Sequence, residues 1–287
     1  MLRPYRIFAM TPLQESLHSH LQQITRDRNP FLATAGHFYA QHYIHEQLAQ
    51  WGKVEIHEFE FRGQVYKNLI LNLPGARSPS PPILIGAHYD TVPGSPGADD
   101  NATGIAVLLE LARAIATQPA QRPIRLVAFD LEELGVGSKA YAELLRQQGQ
   151  KLRLMISLEM LGYCDRRPHS QRYPAPFLQR FYPNTGDFIA LIGNLKTLPD
   201  LIRLSRSIRP SVPCQWLPVD NRGLLIPDTR RSDHAHFWDQ GYRAIMVTDT
   251  ADLRNPHYHQ GSDRLETLDL PFLAGVCQGL IQSIRLL

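Results

Sequence analysis

Apolar and polar positions follow two different patterns along the chain. Residues 12–25 and 31–51 read as helices, the second carrying Phe31, Phe38, Ile44 and Leu48 on helix-compatible spacings and stopping at Gly52. Val54 to Phe61 and Val65 to Asn72 alternate, which predicts two strands of a half-exposed antiparallel pair. Pro74, Gly75 and a Ser-Pro-rich stretch to Pro82 form a loop. Beyond it the apolar runs become short and nearly continuous: Ile83 to Ile85, Ile124 to Phe129, Leu152 to Leu158 and Ala244 to Val247. Such runs suit strands covered on both faces. Helical patterns at about 102–117 and 137–148 lie between them, and Leu268 to Leu287 closes the chain. Strands alternating with helices predict an α/β layered sheet.

A chain of 287 residues without repeats, charge blocks or a low-complexity linker reads as one domain with insertions. The stretch 162–231 is rich in proline and arginine and interrupted by one expected strand, Phe188 to Ile192. It reads as an irregular insertion, either a wall or lid over a site or a passive surface excursion. The formal charge of +3 points to no particular partner, so neither nucleic acid nor a membrane is expected. Met1 to Met10 hold two arginines but no apolar stretch of signal-peptide length, and nothing approaches a membrane span. Cys164, Cys214 and Cys277 are widely spaced and odd in number, as expected of thiols in a reducing compartment. The resulting expectation is a soluble cytoplasmic protein.

The residues immediately after each apolar run carry the chemistry. Gly86-Ala87-His88-Tyr89-Asp90 comes after the first, Asp130-Leu131-Glu132-Glu133-Leu134-Gly135 after the second, and Glu159-Met160-Leu161-Gly162 after the third. The fourth leads into Thr248-Asp249 and then Asn255-Pro256-His257-Tyr258-His259. Ligands bind at the carboxyl ends of strands in open α/β sheets, so acids and histidines converge on one edge. Each piece has a plainer explanation when taken alone. His88 with Asp90 is also what a core histidine bonded to an acid looks like. Gly97 to Gly104, with Asp99, Asp100 and Asn101, opens a helix, where such residues serve as caps. Capping needs one of them, and a carboxylate bridging two cations accounts for the surplus. Glu132 and Glu133 are adjacent and point different ways, so one suits a metal and the other a general base. Glu159 ends a mostly apolar strand, where an unpaired carboxylate is costly. Together, His88, Asp99, Glu133, Glu159 and His259 form an oxygen- and nitrogen-rich set without thiolate, suited to zinc, manganese or cobalt. Five ligands exceed one closed tetrahedral site and point to two divalent metal ions.

These motifs, with Gly137-Ser138 and Tyr258-His259 followed by Asp263, resemble the di-zinc aminopeptidase family, which also includes glutamate carboxypeptidases and glutaminyl cyclases. The likeness runs in order from about Leu32 to the C-terminus. It implies an α/β three-layer sandwich of the zinc-dependent exopeptidase (phosphorylase/hydrolase-like) type, with a mixed, mostly parallel sheet flanked by helices. It further implies that Asp99 bridges two zinc ions, with His88 and Glu159 completing one site and Glu133 and His259 the other. Glu132 is then the general base, Asp90 the partner of His88, and Tyr258 the hydroxyl facing the developing oxyanion. Ser232-Asp233-His234 and Phe237 match a family segment near the substrate pocket. Relatives commonly carry aspartate where this chain has Glu159.

The activity this implies is removal of N-terminal residues from a peptide or small amide substrate. Three alternatives stand beside it: a glutaminyl cyclase, a carboxypeptidase and a non-catalytic binding relative. For the carboxypeptidase, arginines such as Arg203, Arg206, Arg209, Arg222, Arg230 and Arg231 would hold a substrate carboxylate, or else form a scattered solvated surface.

Overall fold

The computed structural model describes residues 10–77 and 79–287. The N-terminal stretch read for a signal peptide lies outside them up to Ala9, as does Ser78 of the Ser-Pro loop. Helix α1 (Pro12–Ile24) starts at a capping box: Thr11 accepts from the Gln14 amide while the Gln14 side chain returns to the Thr11 backbone, and Pro12 takes the first helical position. Helix α2 (Thr34–Ala49) comes next, then β1 (Val54–Phe61) and β2 (Gln64–Leu73), paired antiparallel as their alternation predicts.

The remaining elements are β3 (Ile83–His88), α3 (Gly104–Thr117), β4 (Ile124–Phe129), α4 (Gly137–Gln147), β5 (Leu154–Glu159), β6 (Ile189–Asn194), α5 (Leu198–Ile208), β7 (Cys214–Val219), α6 (His234–Asp239), β8 (Ala244–Thr248) and α7 (Leu270–Leu286). The sheet runs β1-β2-β4-β3-β5-β8-β6-β7. Its middle strands β4, β3, β5 and β8 are mutually parallel, so their carboxyl ends share one edge. Strand β6 pairs antiparallel with β8 and parallel with β7.

Alternate residues of each strand enter different cores, as the period of two demands. Ile83, Ile85, Leu126, Ile156 and Val247 pack under α1, α2, α3, α5 and α7. Leu84, Val127, Phe129, Met155 and Met246 pack under α4 and α6 on the other face. The expected α/β three-layer sandwich is therefore present. Gly86 permits one close approach within it, since a Cβ there would stand 2.2 Å from Phe129 Cε2.

The stretch read as an irregular insertion with one strand contributes more than that: β6, α5 and β7 all fall within it. Strand β7 holds Pro218 at the edge of the sheet, the position where proline costs no ladder bond. Cys164, Cys214 and Cys277 are free thiols. Among the described residues no helix is long and apolar enough to cross a membrane.

Candidate metal centre and substrate cavity

His88 is the last residue of β3 and fully buried. Its Nδ1 lies 3.2 Å from the Asp90 carbonyl oxygen and 3.5 Å from Asp90 Oδ1. The Asp90 carboxylate also accepts from the backbone amides of Glu132 and Glu133 at 3.0 and 3.2 Å, which ties the turn after β3 to the turn after β4. Leu131, in the left-handed region at φ 52°, reverses the chain so that both glutamates project over the sheet edge. Glu159 ends β5, and its Oε2 accepts from Ser232 Oγ at 2.8 Å. Tyr258 stacks on His259 with ring centroids 3.7 Å apart.

The aspartate that stands between the two histidines is Asp100, whereas the resemblance led to Asp99 as the expected bridge. Asp100 Oδ1 lies 3.2 Å from His88 Nε2, and its Oδ2 lies 3.1 Å from His259 Nε2. Glu159 Oε1 is 3.6 Å from His88 Nε2, and Glu133 Oε2 is 3.3 Å from His259 Nε2. Asp99 turns the other way: its oxygens accept from the Gly162 amide and from Asn255 Nδ2, both at 2.8 Å. The reason is local. Residues 98–103 do not form a regular helix; Asp100 sits at φ −104°, ψ 89°, so neighbouring side chains diverge. Asp263 fixes this segment by accepting from the Asp99 and Asp100 amides at 2.9 and 3.1 Å.

The cluster carries more negative charge than its own cations offset. Burial pushes the Asp100 carboxyl up, but His259 and His88 overcome this and hold it well below the usual carboxylate range. Burial, with Asp100 beside it, pushes Glu133 up to about 7. Burial likewise raises Glu132 well above its ordinary value, with Glu159 and Asp233 adding to the effect. His259 rises to about 10 despite its burial, because Asp100 and Glu133 face it. His88 Nε2 is buried without a hydrogen-bond partner among the described residues and points at three carboxylates. Ligand atoms of His88, Glu132 and Glu159, and of His88, Asp100 and Glu133, lie within 4.8 Å of one another. A buried nitrogen without a partner amid crowded carboxylates fits divalent cations of the zinc type.

Two further residues shape the site: Arg28, which carries no signal in the sequence, and Asp233, which the resemblance places near the substrate pocket without a stated role. Arg28 is fully buried and donates to the carbonyls of Tyr89, Pro96 and Gly97 at 2.8, 2.9 and 3.0 Å, bracing the loop between His88 and Asp100. Burial lowers its pKa to about 10, although Asp100 opposes this. In the sequence it sits in the polar stretch Arg26-Asp27-Arg28-Asn29, indistinguishable from a solvated turn. Asp233 is buried beside Ser138 and faces His88 and Glu159 of the same cluster.

A second cavity of about 830 Å³, open mouth included, adjoins the one that holds this cluster. Leu178, Phe188, Ala190, Ile192, Leu217 and Met246 supply its apolar walls. Glu159, Arg231 and Tyr258 line both cavities and so mark the passage between them.

The uncharacterized protein YfbL of Escherichia coli (strain K12) is 36% identical over 254 residues, covering 83% of this chain and 77% of YfbL. Residues 68–187, which include β3, β4 and β5 with the turns after them, match peptidase family M28. The chain belongs to peptidase family M28. Aminopeptidase YwaD of Bacillus subtilis (strain 168) is 37% identical over 124 residues, but these cover 41% of this M28 chain and only 26% of YwaD. The crystal structure of the LapA aminopeptidase of Legionella pneumophila superposes with a TM-score of 0.71 at 20% identity, covering 99% of this chain and 79% of LapA. At that identity the likeness speaks to the M28 fold alone.

Proposed function

We propose that this M28 chain is an aminopeptidase that removes N-terminal residues from peptides, with two divalent cations held around Asp100. One observation carries the reading: the two oxygens of the Asp100 carboxylate face different histidines, each with its own glutamate. His88, Asp100 and Glu159 would hold one ion, and Asp100, Glu133 and His259 the other. The donor set favours zinc. When bound, such ions supply a water acidified enough to attack at neutral pH and a positive field for the oxyanion.

The chain's own groups do the rest. Glu132 lines the cavity beside these donors, with a carboxylate that burial keeps ready to hold a proton. It takes the proton from the attacking water and passes it to the leaving amine. Tyr258 donates its hydroxyl hydrogen to the carbonyl oxygen as charge develops there. Burial keeps that hydroxyl protonated, and Asp100 adds to the effect. The apolar cavity past Glu159 and Tyr258 supports a bulky apolar side chain on the residue removed.

The test is mass spectrometry of a peptide panel, free and N-acetylated, incubated with zinc-loaded protein and with a chelated control. Stepwise, chelator-sensitive loss of N-terminal residues from free peptides alone is expected. A product lighter by ammonia with its peptide bonds intact would identify a cyclase instead, and loss of C-terminal residues a carboxypeptidase.

A further inference from the structure

Arg231 stands where the two cavities meet, and its role is not that of a free basic residue. Its Nη1 is 2.8 Å from Asp252 Oδ1, in the turn after β8. Its guanidinium carbon lies 5.3 Å from the Tyr258 ring centroid, within cation–π range. The next residue, Ser232, donates to Glu159, so the backbone carrying Arg231 is fixed to the metal centre. The other arginines considered for a substrate carboxylate are engaged or distant. Arg222 and Arg230 share Asp239 at 2.7 Å each, and Arg203, Arg206 and Arg209 line neither cavity. With Asp252 neutralising it, Arg231 offers a substrate carboxylate little net attraction.

We propose that Arg231, held by Asp252, is a positioning residue that aims the Tyr258 hydroxyl at the reacting carbonyl. The inference rests on the aminopeptidase reading for what Tyr258 does. A phenol hydroxyl can adopt either of two orientations in the plane of its ring, and a donor helps an oxyanion only when it already points there. The cation beside the ring fixes the ring against His259 and polarises the hydroxyl toward donation. The Asp252 anchor keeps the arginine from swinging into the cluster of carboxylates.

Two measurements test this. In zinc-loaded protein with carbon-13 at the tyrosine Cζ positions, the Tyr258 resonance is the one missing from Tyr258→Phe. It is expected to move in Arg231→Met and in Asp252→Asn, and to move less in Arg231→Lys. A resonance unmoved by Arg231→Met overturns the proposal, whatever the protein's substrate. The second is a double-mutant cycle on a free peptide with N-terminal leucine. Arg231→Met is expected to lower kcat by about tenfold, a fraction of what removing an oxyanion donor costs, with KM nearly unchanged. In the Tyr258→Phe background the same change should do nothing further. Losses that multiply, or a rise in KM alone, would show that Arg231 acts independently of Tyr258. Absence of peptide turnover in the wild type would count against the aminopeptidase reading, leaving the resonance to decide the role of Arg231.

Discussion

Replacing Asp100 with asparagine keeps the shape of the side chain and removes a charge that faces both His88 and His259. In the proposed assignment each cation loses one of its three side-chain donors. Losing a partner one shell further out already costs about 10–100-fold in metal affinity. Losing a shared ligand should cost each ion at least about 100-fold, roughly 2.7 kcal/mol. The metal-free protein should lose some stability too, because His88 and His259 hold the Asp100 carboxylate in its charged form, partly offset by relief of the buried Glu133 carboxylate. The change specific to metal is a missing zinc-induced rise in Tm, over and above any lower starting Tm. Asp99→Asn is the control. It places an amide where both oxygens now accept, from Gly162 and Asn255, leaving one buried contact unsatisfied. About 1–3 kcal/mol of stability should be lost with or without metal, and two ions should still bind. Elemental analysis after dialysis against buffered zinc, alongside melting curves, separates the two variants. Wild-type zinc affinity in Asp100→Asn, or loss of both ions in Asp99→Asn, would refute the assignment.

Glu132→Gln should keep its zinc while kcat falls by about 10²–10⁴, the usual worth of a general base; unchanged turnover in a zinc-loaded sample would remove Glu132 from that role. His234 is buried with Nε2 donating to the Thr229 carbonyl, and burial lowers its pKa to about 3. Unfolded chains take up a proton near pH 6.5 and the native state does not, so stability falls as pH drops from about 6.5 toward 3. The loss attributable to His234 is about 2 kcal/mol by pH 5, and metal-free His234→Gln should show a correspondingly flatter urea-unfolding profile. An unchanged pH slope would mean that His234 is not buried in its neutral form. Ala190→Trp on β6 should fill the apolar cavity and shift kcat/KM from N-terminal leucine toward alanine by about tenfold or more. An unaltered preference would place the substrate side chain elsewhere.

Where patterning and burial agree, the sequence is easy to read. The β1 and β4 ranges match the apolar pattern because each strand has a single environment per face. Helix α5 is harder: Leu201, Leu204 and Ile208 have helical spacing, but Arg203, Arg206 and Arg209 among them make the stretch look like solvated surface. Strand β7 is masked by Pro213 and Pro218, which mark an edge only once the sheet is known. Helix α6 spans His234–Asp239, too short to register a period. Within the site, motif order brings His88, Glu132, Glu133, Glu159, Tyr258 and His259 to one place. The choice between Asp99 and Asp100 depends on the non-helical backbone at Asp100 and Asn101, about which composition says nothing. Arg28, and the role proposed for Arg231, escape for a related reason. Their roles come from carbonyls and rings far away in sequence, and an arginine in a polar stretch looks the same whether buried or solvated.

The most direct test of the account is the anomalous difference map of zinc-loaded crystals, collected on both sides of the zinc absorption edge. Two peaks, one between Asp100 and His88 with Glu159 and the other between Asp100 and His259 with Glu133, are the predicted result. A single peak, or zinc coordinated by Asp99 with Asp100 turned away, would contradict it.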